Sequence, residues 1–170
     1  SVVNKNLKLK YPRNGSYTSA FLIEDLDSEP TDEAIVFYEP GGSTGGSTIR
    51  INVMDQDEKG NWYSIFDAGG VAGASEVERV NFVTVDAQTF LVVGFNLSGS
   101  TEKSVVIYEY EGGKLMDKKR LNCANYAVCD INSDGRDEIV TITQQLRLGG
   151  TPTVLAEMRE IDAAGEFDCL

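Results

Sequence analysis

The sequence predicts an all-β protein built of three successive four-stranded antiparallel units, and three observations carry the prediction. Short runs of β-branched and aromatic residues recur along the 170 residues, as strands require. The runs are joined in pairs, either by polar turns containing glycine or by loops dense in carboxylates. The two-hairpin pattern then recurs at a period of about fifty residues, the spacing of stacked repeats.

Taken in order, residues 1–18 read as a leading strand centred on Asn6-Leu7-Lys8-Leu9-Lys10-Tyr11. The first unit, 19–76, places strands at 21–24 and 34–38 around the acidic loop 25–33. A second hairpin, 48–53 and 62–66, turns through Lys59-Gly60-Asn61. Gly41-Gly42-Ser43-Thr44-Gly45-Gly46-Ser47 connects the two hairpins as a surface linker and lacks the lysine of a phosphate-binding loop. Residues 69–73 lead into the second unit, 77–123. There the acidic loop shrinks to Asp86-Ala87-Gln88, and the later hairpin turns at Gly112-Gly113. The third unit, 124–170, restores the acidic loop at 130–138 and turns its last hairpin at Ala164-Gly165.

Four antiparallel strands per unit select a β-propeller-like array, with each unit a blade packed radially about an axis. Closed propellers have about four to eight blades, so three blades predict a partial or oligomer-completed ring. Two arrangements follow. The chain is the N-terminal part of a longer propeller, its leading strand left without a partner, or a second copy completes the arc. The first is favoured, because the leading strand has no evident partner within the three units. Both leave apolar sheet faces at the ends of the array and predict self-association.

The stretch Asp130-Ile131-Asn132-Ser133-Asp134-Gly135-Arg136-Asp137-Glu138 carries the chemistry. Asp130, Asn132 and Asp134 offer side-chain oxygens at alternate positions, Arg136 offers its carbonyl, and Glu138 closes the set. Gly135 permits the bend that turns them toward one point. Hard cations such as Ca²⁺ take six to eight oxygens, so these five residues are the candidate metal ligands. An EF-hand is excluded, because the flanks read as strands and its twelfth position is Thr141. The competing reading is a hydrogen-bonded Asx-type turn. In the first loop, Asp25, Asp27, Glu29 and Glu33 stand where Asp130, Asn132, Asp134 and Glu138 stand in the third. Pro30 replaces the glycine and cannot take a left-handed conformation, which predicts weak cation binding or none.

These residues resemble the FG-GAP or VCBS-type repeats of integrin-like β-propellers, whose blades carry a calcium turn of the form D-x-[DN]-x-D-G-x-x-D. Residues 130–138 match that form with Glu138 in the last place, and residues 25–33 match it loosely. Residues 11–38 are also similar to propeller-like proteins exported by Gram-positive gut anaerobes. The resemblance implies calcium turns that brace blades, and an extracellular or cell-envelope module that binds or scaffolds.

Net charge is −12, with Lys+Arg 15 against Asp+Glu 27. That acidity disfavours nucleic acid and anionic membrane, and its simplest role is solubility. No apolar run reaches transmembrane length and no signal peptide is present; Ser1 follows either a removed export signal or an artificial start. Cys123, Cys129 and Cys169 form no C-x-x-C pair, which argues against zinc. Cys129 reads as a small buried residue, with a Cys123–Cys129 bridge as the alternative.

The chain contains no histidine, which removes Ser-His-Asp and Cys-His nucleophiles and His-ligated catalytic metals. A non-catalytic protein is expected. The alternative is a carbohydrate-active propeller that binds or cleaves glycans, using Glu24, Asp25 and Asp27 with Trp62, Tyr63, Tyr108 and Tyr110 as an aromatic platform. Alternation places Tyr108 and Tyr110 on one face, where packing between blades is the simpler role. The expected partner is a protein or glycan at the cell envelope.

Overall fold

The computed structural model describes residues 6–41, 49–145, 150, 152–162 and 166–169. The expected linker at 42–47 and the Ala164-Gly165 turn lie outside them. The described residues form thirteen strands and no helix, arranged as three antiparallel sheets.

The first sheet contains β1 (Lys8–Lys10), β2 (Phe21–Glu24), β3 (Glu33–Glu39), β4 (Arg50–Gln56) and β5 (Trp62–Gly69). The second runs β6 (Ala74–Val85), β7 (Gln88–Leu97), β8 (Lys103–Glu111) and β9 (Lys114–Cys123) in sequence order. The third runs β10 (Asn125–Cys129), β11 (Glu138–Gln145), β12 (Thr153–Ile161) and β13 (Phe167–Cys169). The second sheet thus begins at Ala74, inside the stretch that sequence reading assigns to the first unit. The radial arrangement of a closed propeller is not seen.

The leading strand differs from expectation, because it has a partner. β3 has seven residues and β2 only four. β2 pairs with the first half of β3, from Glu24↔Glu33 to Phe21↔Val36. β1 takes the second half, at Lys10↔Phe37, Leu9↔Tyr38 and Lys8↔Glu39. Otherwise that half of β3 would present an open edge of unpaired N–H and C=O groups. Lys10 adds an ion pair to Glu39 at 2.7 Å and donates to the Ser75 carbonyl at 3.0 Å. The chain then crosses to the second sheet, where the Asn14 N–H donates to the Glu78 carbonyl at 2.9 Å.

The central strands of the middle sheet, β7 and β8, are buried on both faces. The run Thr89-Phe90-Leu91-Val92-Val93-Gly94-Phe95 shows no apolar–polar alternation and is buried throughout, as a strand covered on both sides must be. Leu91, Val93 and Phe95 pack toward the first sheet, with Leu22, Ile35, Phe37 and Val53. Phe90 and Val92 pack toward the third, with Tyr126, Ile139 and Ile161. Each such side chain contributes roughly 1.5–3 kcal/mol on full burial, so the two inter-sheet layers supply most of the cohesion.

The outer sheets use opposite faces against the middle one. The two acidic turns put Glu33 in register with Glu138, so Ile35 corresponds to Val140 and Ala34 to Ile139. Yet Ile35 faces the middle sheet in the first unit, whereas Ile139 does so in the third. The sheets therefore stack head to tail, each presenting the same side to the one before it.

Candidate metal centre

The acidic turn of the third unit joins β10 to β11, with Cys129 opposite Glu138 at the strand ends. The backbone winds around the carboxylates. Asp130 Oδ1 accepts the Asp134 N–H at 3.1 Å, and Asp130 Oδ2 accepts the Gly135 N–H at 2.9 Å. Asn132 Oδ1 accepts the Asp134 N–H at 2.9 Å, and its amide donates to Asp134 Oδ2 at 2.9 Å. Asp134 Oδ1 accepts the Arg136 N–H at 2.9 Å. Two positions are left-handed, Ser133 at φ 64° and Gly135 at φ 91°. Asn132 stays beside Asp134, whereas the Arg136 guanidinium reaches out to Glu160 at 3.5 Å.

Glu138 is fully buried. Its Oε2 accepts the Ile131 N–H at 2.8 Å, but its Oε1 is buried without a hydrogen-bond partner among the described residues. Carboxylate oxygens of Asp130, Asp134 and Glu138 lie within 4.8 Å of one another. A carboxylate carries about four lone-pair sites, so each retains acceptors after its backbone bonds. The group can hold a metal ion.

The first turn repeats this arrangement. Glu33 Oε2 accepts the Leu26 N–H at 2.9 Å, matching Glu138 and Ile131. Ser28, at φ 62°, matches Ser133. Asp25 Oδ1 accepts the Ser28 N–H at 2.7 Å, and Asp27 Oδ1 accepts that of Glu29 at 3.1 Å. Asp25, Asp27 and Glu33 also bring carboxylate oxygens within 4.8 Å, so a second acidic triad forms despite Pro30. Glu29, which stands in the place of Asp134, is not part of it. Pro30 cannot reproduce the φ of 91° at Gly135, so the chain takes another path after Glu29. Burial pushes the Glu33 carboxyl up to about 7, and the charges of Asp27, Asp55 and Asp25 add to the shift.

One residue beside this turn, Asp55, carries no sequence signal for a site. Asp55, on β4, and Tyr110, on β8, line a cleft with Asp27, Glu29 and Glu111. Only the packing of the first sheet on the second joins them.

The other candidates separate. Burial, aided by Asp32 and Asp25, raises the Glu24 carboxyl, but Asp25 and Asp27 join Glu33 in the triad and not Glu24. Tyr108 and Tyr110 are buried between the first and second sheets, away from any exposed platform. Trp62 and Tyr63 are exposed; Trp62 lines a shallow apolar depression with Phe21, Ile23, Ala34 and Met54. Cys129 is exposed, not buried, and Cys123 and Cys129 are free thiols rather than a bridge.

Set against family models, curated proteins and solved structures, the chain matches none of them.

Proposed function

We propose that the chain is a non-catalytic, exported binding or scaffolding module of the FG-GAP/VCBS propeller kind, with a Ca²⁺ clip in its third blade. The observation that carries the reading is the Glu138 carboxylate, fully buried with Oε1 unpartnered beside Asp130 and Asp134. A buried carboxylate oxygen left without a partner costs about 1–3 kcal/mol or more, and a cation at this point would offset it. Asp130, Asn132, Asp134, the Arg136 carbonyl and Glu138 offer oxygen alone, the donor set of Ca²⁺ and not of zinc or copper. A calcium ion would tie the start of β11 to the loop and hold the edge strand β10 in register. The head-to-tail stacking of the sheets supports the propeller part of the reading, since a fan of blades needs one repeated interface. The surface it would offer to a protein or glycan at the cell envelope rests on the family resemblance.

Thermal unfolding in Ca²⁺ and in chelator tests the proposal. A ligand of the native state at 100 times its Kd stabilises by about 2.7 kcal/mol. Melting should rise with Ca²⁺ in the unsubstituted chain and lose most of that rise in Asp134→Ala. Identical melting in Ca²⁺ and chelator would remove the calcium clip.

A further inference from the structure

Among the described residues, two apolar sheet faces are uncovered, one on the first sheet and one on the third. On the first sheet, Phe21 (51% exposed), Ile23 (47%) and Trp62 (39%) surround Ala34 and Met54. On the third sheet, Ile142 (37%) and Val154 (67%) stand exposed. Register puts them on the side away from the middle sheet. Ile142 lies opposite Ala156 on β12, and alternates with Ile139 and Thr141, which are buried toward the middle sheet's side.

The repeat register says what each face is made to meet. Phe21 and Ile23 hold the positions of Tyr126 and Val128, since Glu24 pairs with Glu33 as Cys129 pairs with Glu138. Tyr126 and Val128 pack on the middle sheet. The uncovered face of the first sheet is thus the same structural surface that the third sheet uses to dock on its predecessor. Likewise, Val140 and Ile142 hold the positions of Ile35 and Phe37, which receive the second sheet. One end of the chain exposes the docking side of the repeat, and the other end exposes the receiving side.

We infer that the outer face of the first sheet docks on the outer face of the third sheet of a second copy. The contact continues the two inter-sheet interfaces within the chain, and it is heterologous, joining different surfaces of identical chains. Two chains joined twice in this way hold six sheets, within the roughly four to eight of closed propellers. That number of chains rests on the propeller reading, whereas the contact itself rests on the repeat register. Trp62 then belongs to an interface between chains and not to a glycan platform. The like net charge of −12 on each chain opposes the contact and is screened by salt, so association should strengthen as ionic strength rises.

Sedimentation equilibrium with two surface variants tests the inference. The unsubstituted 170-residue chain should run at twice its 18.5 kDa mass. Phe21→Asp and Val154→Asp change exposed side chains, so each should fold, keep its Ca²⁺-dependent melting shift and run as a monomer. Mixing the two should restore part of the dimer, because one chain contributes an unaltered first-sheet face and the other an unaltered third-sheet face. An unsubstituted chain that stays monomeric at about 100 µM, far above ordinary dimer Kd values, overturns the self-association while an intact calcium shift leaves the proposed function standing. Sensitivity to Phe21→Asp alone overturns the head-to-tail contact in favour of like faces meeting. Assemblies larger than two that both variants dissolve overturn the closed six-sheet ring and the fan geometry behind it.

Discussion

Tyr126 of the third sheet lies directly on Gly94 of the middle sheet, so that a β-carbon at Gly94 would overlap the phenol oxygen and the ring edge. The Tyr126 hydroxyl reaches the Arg79 carbonyl at 3.4 Å, and the Arg79 guanidinium carbon stands 5.6 Å from the ring centroid. One glycine thereby opens a slot in the middle sheet, and one tyrosine fills it.

Gly94→Ala should therefore loosen the third sheet, although alanine suits the local backbone. Overpacking of this kind costs about 1–3 kcal/mol, and Tyr126→Ala should cost about 3–5 kcal/mol through the cavity it leaves. The double variant should be less destabilised than the sum of the two, because the small side chain vacates the space the new methyl needs. Denaturant melts of all three proteins measure the coupling, and strict additivity would contradict the slot.

Gly135 sits at φ 91° with open space where a β-carbon would point. Gly135→Ala should thus act through backbone strain alone, costing about 1–2 kcal/mol. Calcium affinity should fall as well, since Gly135 donates its N–H to Asp130. Titration calorimetry beside thermal melting separates the two effects; an affinity unchanged within error would uncouple the bend from the site.

In chelator, the stability of the protein should depend on pH through Glu33, whose carboxyl rises from 4.5 to about 7 on folding. A carboxyl raised by folding contributes its stability fully below its unfolded pKa and loses it as pH climbs through the folded value. Stability should fall between about pH 4.5 and 7, by on the order of 2–3 kcal/mol. Glu33→Gln should flatten this fall while keeping an acceptor for the Leu26 N–H. A steady rise in stability over the same window would refute the assignment.

Burial lifts the Cys123 thiol to about 11, which leaves on the order of one thiolate in a thousand at pH 8. Cys129 is exposed at the lip of the acidic turn. Iodoacetamide at pH 8 should label Cys129 within minutes and leave Cys123 untouched until the chain unfolds. Peptide mass mapping reads the result, and equal labelling at both sites would place Cys123 outside the core.

Both acidic turns were legible in the residues, because their chemistry is local. A glycine at the sixth position and oxygens at alternate positions act within nine residues, and the backbone closes on Asp130 much as that spacing demands. The strand rhythm was legible for the same reason, since each hairpin turn specifies its own neighbours. Glu33 was harder to place. Its burial comes from the packing of the first sheet on the second, and its like-charged neighbour Asp55 stands on β4, brought close by the sheet and not by the turn.

Periodicity alone thus sufficed for an all-β chain of three antiparallel sheets and for the location of its oxygen-rich bends, whereas a fifth strand in the first sheet was not foreseen. Packing alone settled that β1 pairs with the open half of β3 and that the outer sheets present opposite faces to the middle one, whereas the interior place of Tyr108 and Tyr110 was already the simpler reading of their alternation. Turns are written in contiguous residues, where steric rules and hydrogen bonds reach only a few positions. Which faces meet depends on apolar surfaces separated by tens of residues, as Gly94 and Tyr126 are, and those surfaces find one another only when the sheets close out water.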